Sequence, residues 1–120
     1  MYVVEYRYEI DPQYYKEFKK IQNRVYDIYK ANGVMYHILL IDEEKLGEIL
    51  ELMMFNNEEN YEAFKIATES NLELYSLTEK FSKMVINPEK EHKMKVYTSI
   101  FSWLSSNVLA ISPFFKSFLL

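Results

Sequence analysis

Residues 1–10, MYVVEYRYEI, alternate with the two-residue period of a β-strand: Tyr2, Val4, Tyr6, Tyr8 and Ile10 take one face, and Val3, Glu5, Arg7 and Glu9 the other. Asp11-Pro12 then supplies a helix N-cap and a proline at the first helical position. From there Tyr14, Phe18, Ile21, Val25 and Ile28 recur at helical spacing, with Lys16, Lys19, Lys20, Asn23 and Asp27 off that stripe. Asn32-Gly33 predicts its stop. VMYHILLID and EILELMMFN, separated by Glu43 to Leu46 and Gly47, predict a hairpin with Leu40 opposite Leu50, Ile38 opposite Leu52 and Tyr36 opposite Met54.

Two capping boxes follow. Asn56 with Glu59 predicts a helix carrying Tyr61, Phe64 and Ala67 inward, and the stretch from Ser70 to Glu73 restarts it with Leu74, Leu77, Phe81 and Met84 inward, so that one bent helix is expected. HKMKVYTSI alternates again, with Met94, Val96 and Thr98 on one side and Lys93 and Lys95 on the other. The order β-α-β-β-α-β is the ferredoxin-like motif, an α+β fold with two helices over one face of a four-stranded antiparallel sheet. Residues 1–100 form that domain, and 101–120 are extra.

Taking the even-numbered strand residues as the face under the helices leaves a mixed odd face. Glu5, Arg7, Glu9, Lys93 and Lys95 suit water; Val3, Leu39, Ile41, Ile49, Met53 and Phe55 do not. So large an apolar face predicts an interface, most simply with a second copy of the chain. Arg7, His37, Leu39, Ile41, Met53 and Phe55 are the expected dimer contacts. Glu5, Arg7, Glu9 and Glu51 would form an ion-pair network there.

The final stretch, FSWLSSNVLAISPFFKSFLL, has Phe101, Leu104, Val108, Ile111, Phe115 and Phe118 at helical spacing. Its serines, Asn107, Pro113 and Lys116 interrupt any membrane-spanning run. A C-terminal helical arm packed on the domain or its partner is expected, not a transmembrane segment.

MYVVEYRYEI, the helix from Pro12 to Ala31 and the run from MMFNNEENYEAF to LTEKFSKMVINPEKEHKMKVYTSI resemble the dimeric α+β barrel superfamily. That group includes antibiotic-biosynthesis-monooxygenase-like, NIPSNAP-like and stress-responsive barrel proteins. The resemblance implies a homodimer whose two sheets close into a dimeric α/β barrel, with ligands held between sheet and helices. Some members are oxygenases without metal or organic cofactor that act on polycyclic aromatics; others degrade haem, isomerise lactones, cyclise polyketides or have no known activity. Haem degradation is not expected: the first strand has no Asn, residues 56–86 hold neither Trp nor His, and Trp103 lies in the tail.

Composition narrows the chemistry. A net charge of -4, with cations interleaved among acids, argues against nucleic acid as a partner. There is no cysteine, which excludes disulfides and thiolate nucleophiles, and two histidines, His37 and His92, are too few for an all-protein metal centre. The N-terminus lacks the pattern of a signal peptide, so a cytoplasmic location is expected. Eleven Tyr and eight Phe suit an aromatic-lined cavity and equally an ordinary core. Tyr6, Tyr8, Tyr36, Phe64 and Phe81 are the candidate pocket lining. With no acid/base pair on the predicted pocket face, the sequence favours a homodimeric module binding a hydrophobic or aromatic molecule without catalysis and without a cofactor. The alternative is a cofactor-independent monooxygenase-like enzyme acting on an aromatic or polyketide-like substrate.

Overall fold

The computed structural model describes residues 1–86 and 93–99. Strand β1 (Tyr2–Ile10) leads into Asp11, whose carboxylate accepts the Gln13 N–H at 3.1 Å and caps a short 3-10 turn, Pro12–Tyr14. Pro12 costs nothing at this position, where its missing N–H would have no helical partner. Helix α1 (Tyr15–Ala31) buries Phe18, Ile21, Val25 and Ile28 of the predicted stripe, while Tyr14 falls in the 3-10 turn and is exposed. It stops where the Asn32 side chain donates to the Ile28 carbonyl at 2.8 Å and Gly33 takes a φ of +97°.

Strands β2 (Tyr36–Ile41) and β3 (Glu48–Phe55) pair in the predicted register, with Leu40 opposite Leu50. Asp42 holds their connection by accepting the Glu44 and Lys45 N–H groups at 2.7 and 3.0 Å. Gly47, at a φ of +102°, presses against the end of β1: its carbonyl accepts the Ile10 N–H at 2.8 Å, and a Cβ there would lie 2.5 Å from the Ile10 oxygen. Gly33 has a similar φ but open space around it. Gly33→Ala is therefore expected to cost about 1–2 kcal/mol, the positive φ alone, and Gly47→Ala clearly more. Urea unfolding midpoints of the two variants measure the difference, and equal losses would show that the close approach is immaterial.

Helices α2 (Glu58–Glu69) and α3 (Leu72–Ser82) replace the single bent helix. Asn57, not Asn56, caps α2, accepting the Asn60 N–H at 2.8 Å and setting Glu58 and Glu59 in the first turn. Asn71 caps α3 through the Leu74 N–H at 2.8 Å. A two-residue strand, β4 (Val85–Ile86), lies beside Glu9–Ile10, and β5 (Lys93–Thr98) beside Tyr2–Arg7 on the same edge of β1. All pairings are antiparallel in the order β2-β3-β1, with β4 and β5 beyond β1. This is the ferredoxin-like arrangement with β4 as an addition. The expected C-terminal arm lies outside the described residues. Among those residues, no helix is long and apolar enough to cross a membrane.

The assignment of faces to the hairpin is a correction. Tyr2 stands opposite Phe55, Val4 opposite Met53, Tyr6 opposite Glu51 and Tyr8 opposite Ile49. The even residues of β1 therefore share the helix-covered face with the odd residues of β3 and, through β3, of β2. His37, Leu39, Ile41, Met53 and Phe55, expected on the open face, point to the helix side; His37, Met53 and Phe55 are buried there, and Ile41 is exposed at the sheet end. Arg7 stays on the open face, exposed. Tyr36, expected under the helices, is on the open face and 49% exposed. Both faces of the hairpin are apolar, so hydrophobicity alone could not choose between them. The open face remains rich in apolar groups, with Tyr36, Ile38 and Leu40 exposed and Val3, Leu50, Leu52 and Met54 half-buried.

A buried carboxylate between sheet and helices

Glu51 is the single acid inside the apolar strand ILELMMF, and the register sets it on the covered face, directly beside Tyr6. It is 7% exposed. Tyr8, diagonal to it on β1, donates its hydroxyl to Glu51 Oε1 at 2.7 Å. His37, diagonal on β2, brings Nε2 within 2.8 Å of Oε2. The imidazole is fully buried, with the Tyr26 and Tyr29 rings 6.1 and 5.1 Å away. Its Nδ1 has no hydrogen-bond partner among the described residues. With the ring hydrogen on Nε2, His37 donates to Glu51 Oε2. Each carboxylate oxygen keeps a further lone pair.

That carboxylate lines a cavity of about 190 Å³. Tyr6, Tyr8 and Glu51 form its floor; Gln22, Val25 and Tyr29 of α1 and Leu74 and Phe81 of α3 form its walls. The two helices are joined across the top by a bidentate Arg24–Glu73 pair at 2.5 and 2.7 Å, exposed and hence of small energetic weight. The buried amide oxygen of Gln22 has no hydrogen-bond partner among the described residues. Two further hollows, of about 220 and 290 Å³, lie around Tyr15 and Ile41 and are lined mainly by apolar groups. Among the described residues, no group of three or more His, Asp or Glu is arranged to hold a metal ion.

Burial, then the negative charge of Glu51, pushes the Tyr8 and Tyr29 phenols far above the ordinary range. Tyr6 is pushed up to about 12 by burial, then by Tyr61 and Glu51. An unfolded chain releases these protons from about pH 10. Above that pH the unfolded state binds fewer protons than the fold, so stability falls as pH rises through the folded values. In an alkaline titration, ultraviolet phenolate absorbance is expected to rise in two stages, the second coinciding with loss of the circular dichroism signal. A single stage completed before unfolding would contradict this burial.

Of the residues singled out in the sequence, the cavity gathers Tyr6, Tyr8 and Phe81. Phe64 lies in the neighbouring core, its ring 5.1 Å from Tyr29 and 5.2 Å from Phe55, and Tyr36 is on the opposite face. Glu51, Tyr29 and Gln22 were missed as site residues. The lone charge in an apolar strand was a usable signal for Glu51; a glutamine on an amphipathic helix gave none. The expected acidic network divides. Glu5 remains on the open face, accepting the Tyr97 hydroxyl at 2.8 Å and Arg7 at 3.0 Å. The Tyr97 hydrogen bond, and then Arg7, hold its carboxyl below the usual range.

No family model and no curated protein sequence matches the chain. Solved structures do. A putative antibiotic biosynthesis monooxygenase from Nitrosomonas europaea aligns over 83% of this chain and 90% of its own, with a TM-score of 0.67 and 11% identity. SnoaB, a cofactor-independent oxygenase from Streptomyces nogalater, aligns over 83% and 93%, with a TM-score of 0.64 and 11% identity. Protein Atu4242 from Agrobacterium tumefaciens aligns over 85% and 97%, with a TM-score of 0.67 and 13% identity. At such identities the likeness is one of architecture, and the chain has the ferredoxin-like α+β fold of the antibiotic-biosynthesis-monooxygenase-like proteins.

Proposed function

We propose that the protein binds a compact small molecule in the cavity between α1, α3 and the sheet, with Glu51 as the polar anchor. The observation carrying this reading is a buried carboxylate, held in place by Tyr8 and His37, that lines an aromatic-walled cavity. Size supports one ring over several: the cavity is about 190 Å³, and a dry cavity of about 150 Å³ accepts benzene. In this reading the protein acts in the cytoplasm as a homodimer through the open sheet face, where Ile38, Leu40 and Leu52 would be covered. Light scattering at the mass of two chains, lost on Leu52→Glu, supports the assembly; a monomer at high concentration removes it. For the cavity, Leu74→Trp should fill the space from α3 and abolish binding of single-ring ligands in calorimetry. Unchanged binding would place the ligand elsewhere.

A second reading is favoured by the Glu51–His37 pair, an acid/base couple on the pocket side that was not expected from the sequence. Glu51 would act as general base on a phenolic substrate. The phenolate would then react with dioxygen in the manner of the oxygenases that share the fold, one dioxygen giving a quinone and one water. Dioxygen uptake with simple phenols, abolished by Glu51→Gln, tests it; no uptake leaves binding alone.

A further inference from the structure

Glu51 is the charged group of the cavity, and Thr78, whose hydroxyl donates to the Leu74 carbonyl at 2.8 Å, also lines it. The Tyr8 hydroxyl proton and the His37 Nε2 hydrogen are committed to Glu51, which still offers lone pairs. The buried Gln22 oxygen has no partner among the described residues, and Gln22 borders both this cavity and the hollow beside Tyr15. No Lys or Arg lines the cavity, so the Glu51 charge has no cationic partner there. Tyr6, Tyr29 and Phe81 present aromatic rings to the same space.

We infer that the cavity is an organic-ammonium site, taking a single-ring arylalkylammonium whose N–H groups are received by the Glu51 carboxylate and whose ring lies among the aromatic side chains of the lining. This rests on the cavity being the binding site. An ammonium carries three donors and no acceptor, and so suits the lone pairs left on the Glu51 carboxylate. Its charge offsets a carboxylate otherwise buried without a counter-ion, and aromatic faces attract cations. A ligand carboxylate or phosphate would instead meet Glu51 with nothing to balance it. The upward displacement of the Tyr6, Tyr8 and Tyr29 phenols, to which Glu51 contributes in each case, agrees with a negative potential in the cavity.

Benzylammonium, benzyl alcohol and benzoate share one ring and one-carbon arms and differ mainly in charge, so they separate the possibilities by titration calorimetry on the full chain at neutral pH. Benzylammonium is expected to bind about tenfold more tightly than benzyl alcohol, as a charge-assisted hydrogen bond exceeds a neutral one, and benzoate not to bind. Glu51→Gln should remove the preference for the cation. Benzyl alcohol or benzoate binding as tightly as benzylammonium would overturn the ammonium inference and leave the cavity standing as a site. Binding of none of the three would overturn both.

Discussion

Phe55→Ala is expected to destabilise the fold by about 3–5 kcal/mol, the range for truncating a fully buried phenylalanine. Phe55 is 0% exposed and sits opposite Tyr2 on the covered face of the sheet. Its ring centroid lies 5.2 Å from both Tyr61 and Phe64, so it joins β3 to α2. Well-packed neighbours on several sides can collapse only partly into the space left behind. Phe81 is the comparison: half-buried and already beside a cavity, it should cost distinctly less on truncation. Guanidinium unfolding of Phe55→Ala and Phe81→Ala measures both. Equal losses would mean that the packing around Phe55 is not what the geometry implies.

The same variant separates the two placements of Phe55. On the open face its truncation would have weakened association and spared folding. The local pattern read the elements well because each rests on neighbours in the chain: the Asp11 cap, the α1 stripe, the Gly33 stop and the Leu40–Leu50 hairpin register. Which face of that hairpin meets the helices depends on β1 lying against β3, more than forty residues apart in sequence. A shift of one residue in that pairing exchanges the faces. With Ile38, Leu40 and Leu52 as apolar as Leu39, Ile49 and Met53, no local preference could decide. The exchange had a chemical consequence, because it moved Glu51 from an expected interface into the cavity and His37 onto the same covered face beside it. Tyr6 and Tyr8 were legible since β1 has one apolar and one largely charged face. β4 was not, being two residues long and defined only by its partner.

Glu51→Ala is expected to cost about 2–6 kcal/mol, at about 1–3 kcal/mol for each of two buried donors deprived of its acceptor. It takes away the carboxylate that accepts from the Tyr8 hydroxyl and sits against His37 Nε2. Glu51→Gln should cost less, since its carbonyl still serves one donor. Glu51→Leu combined with Tyr8→Phe is the sharper test, because it removes both partners of one hydrogen bond and fills the space with apolar groups. Replacing partners together can be nearly neutral where deleting one is not. The pair of changes should therefore be less destabilising than the sum of the two singles, with a coupling of about 0.5–3 kcal/mol in urea unfolding. Strict additivity would mean that Tyr8 and Glu51 do not act as a unit. If the double variant folds as stably as the parent, the carboxylate contributes little to the fold. Its retention in an otherwise apolar strand then has to be explained by what it holds in the cavity, and loss of benzylammonium binding in that stable variant would assign it that role.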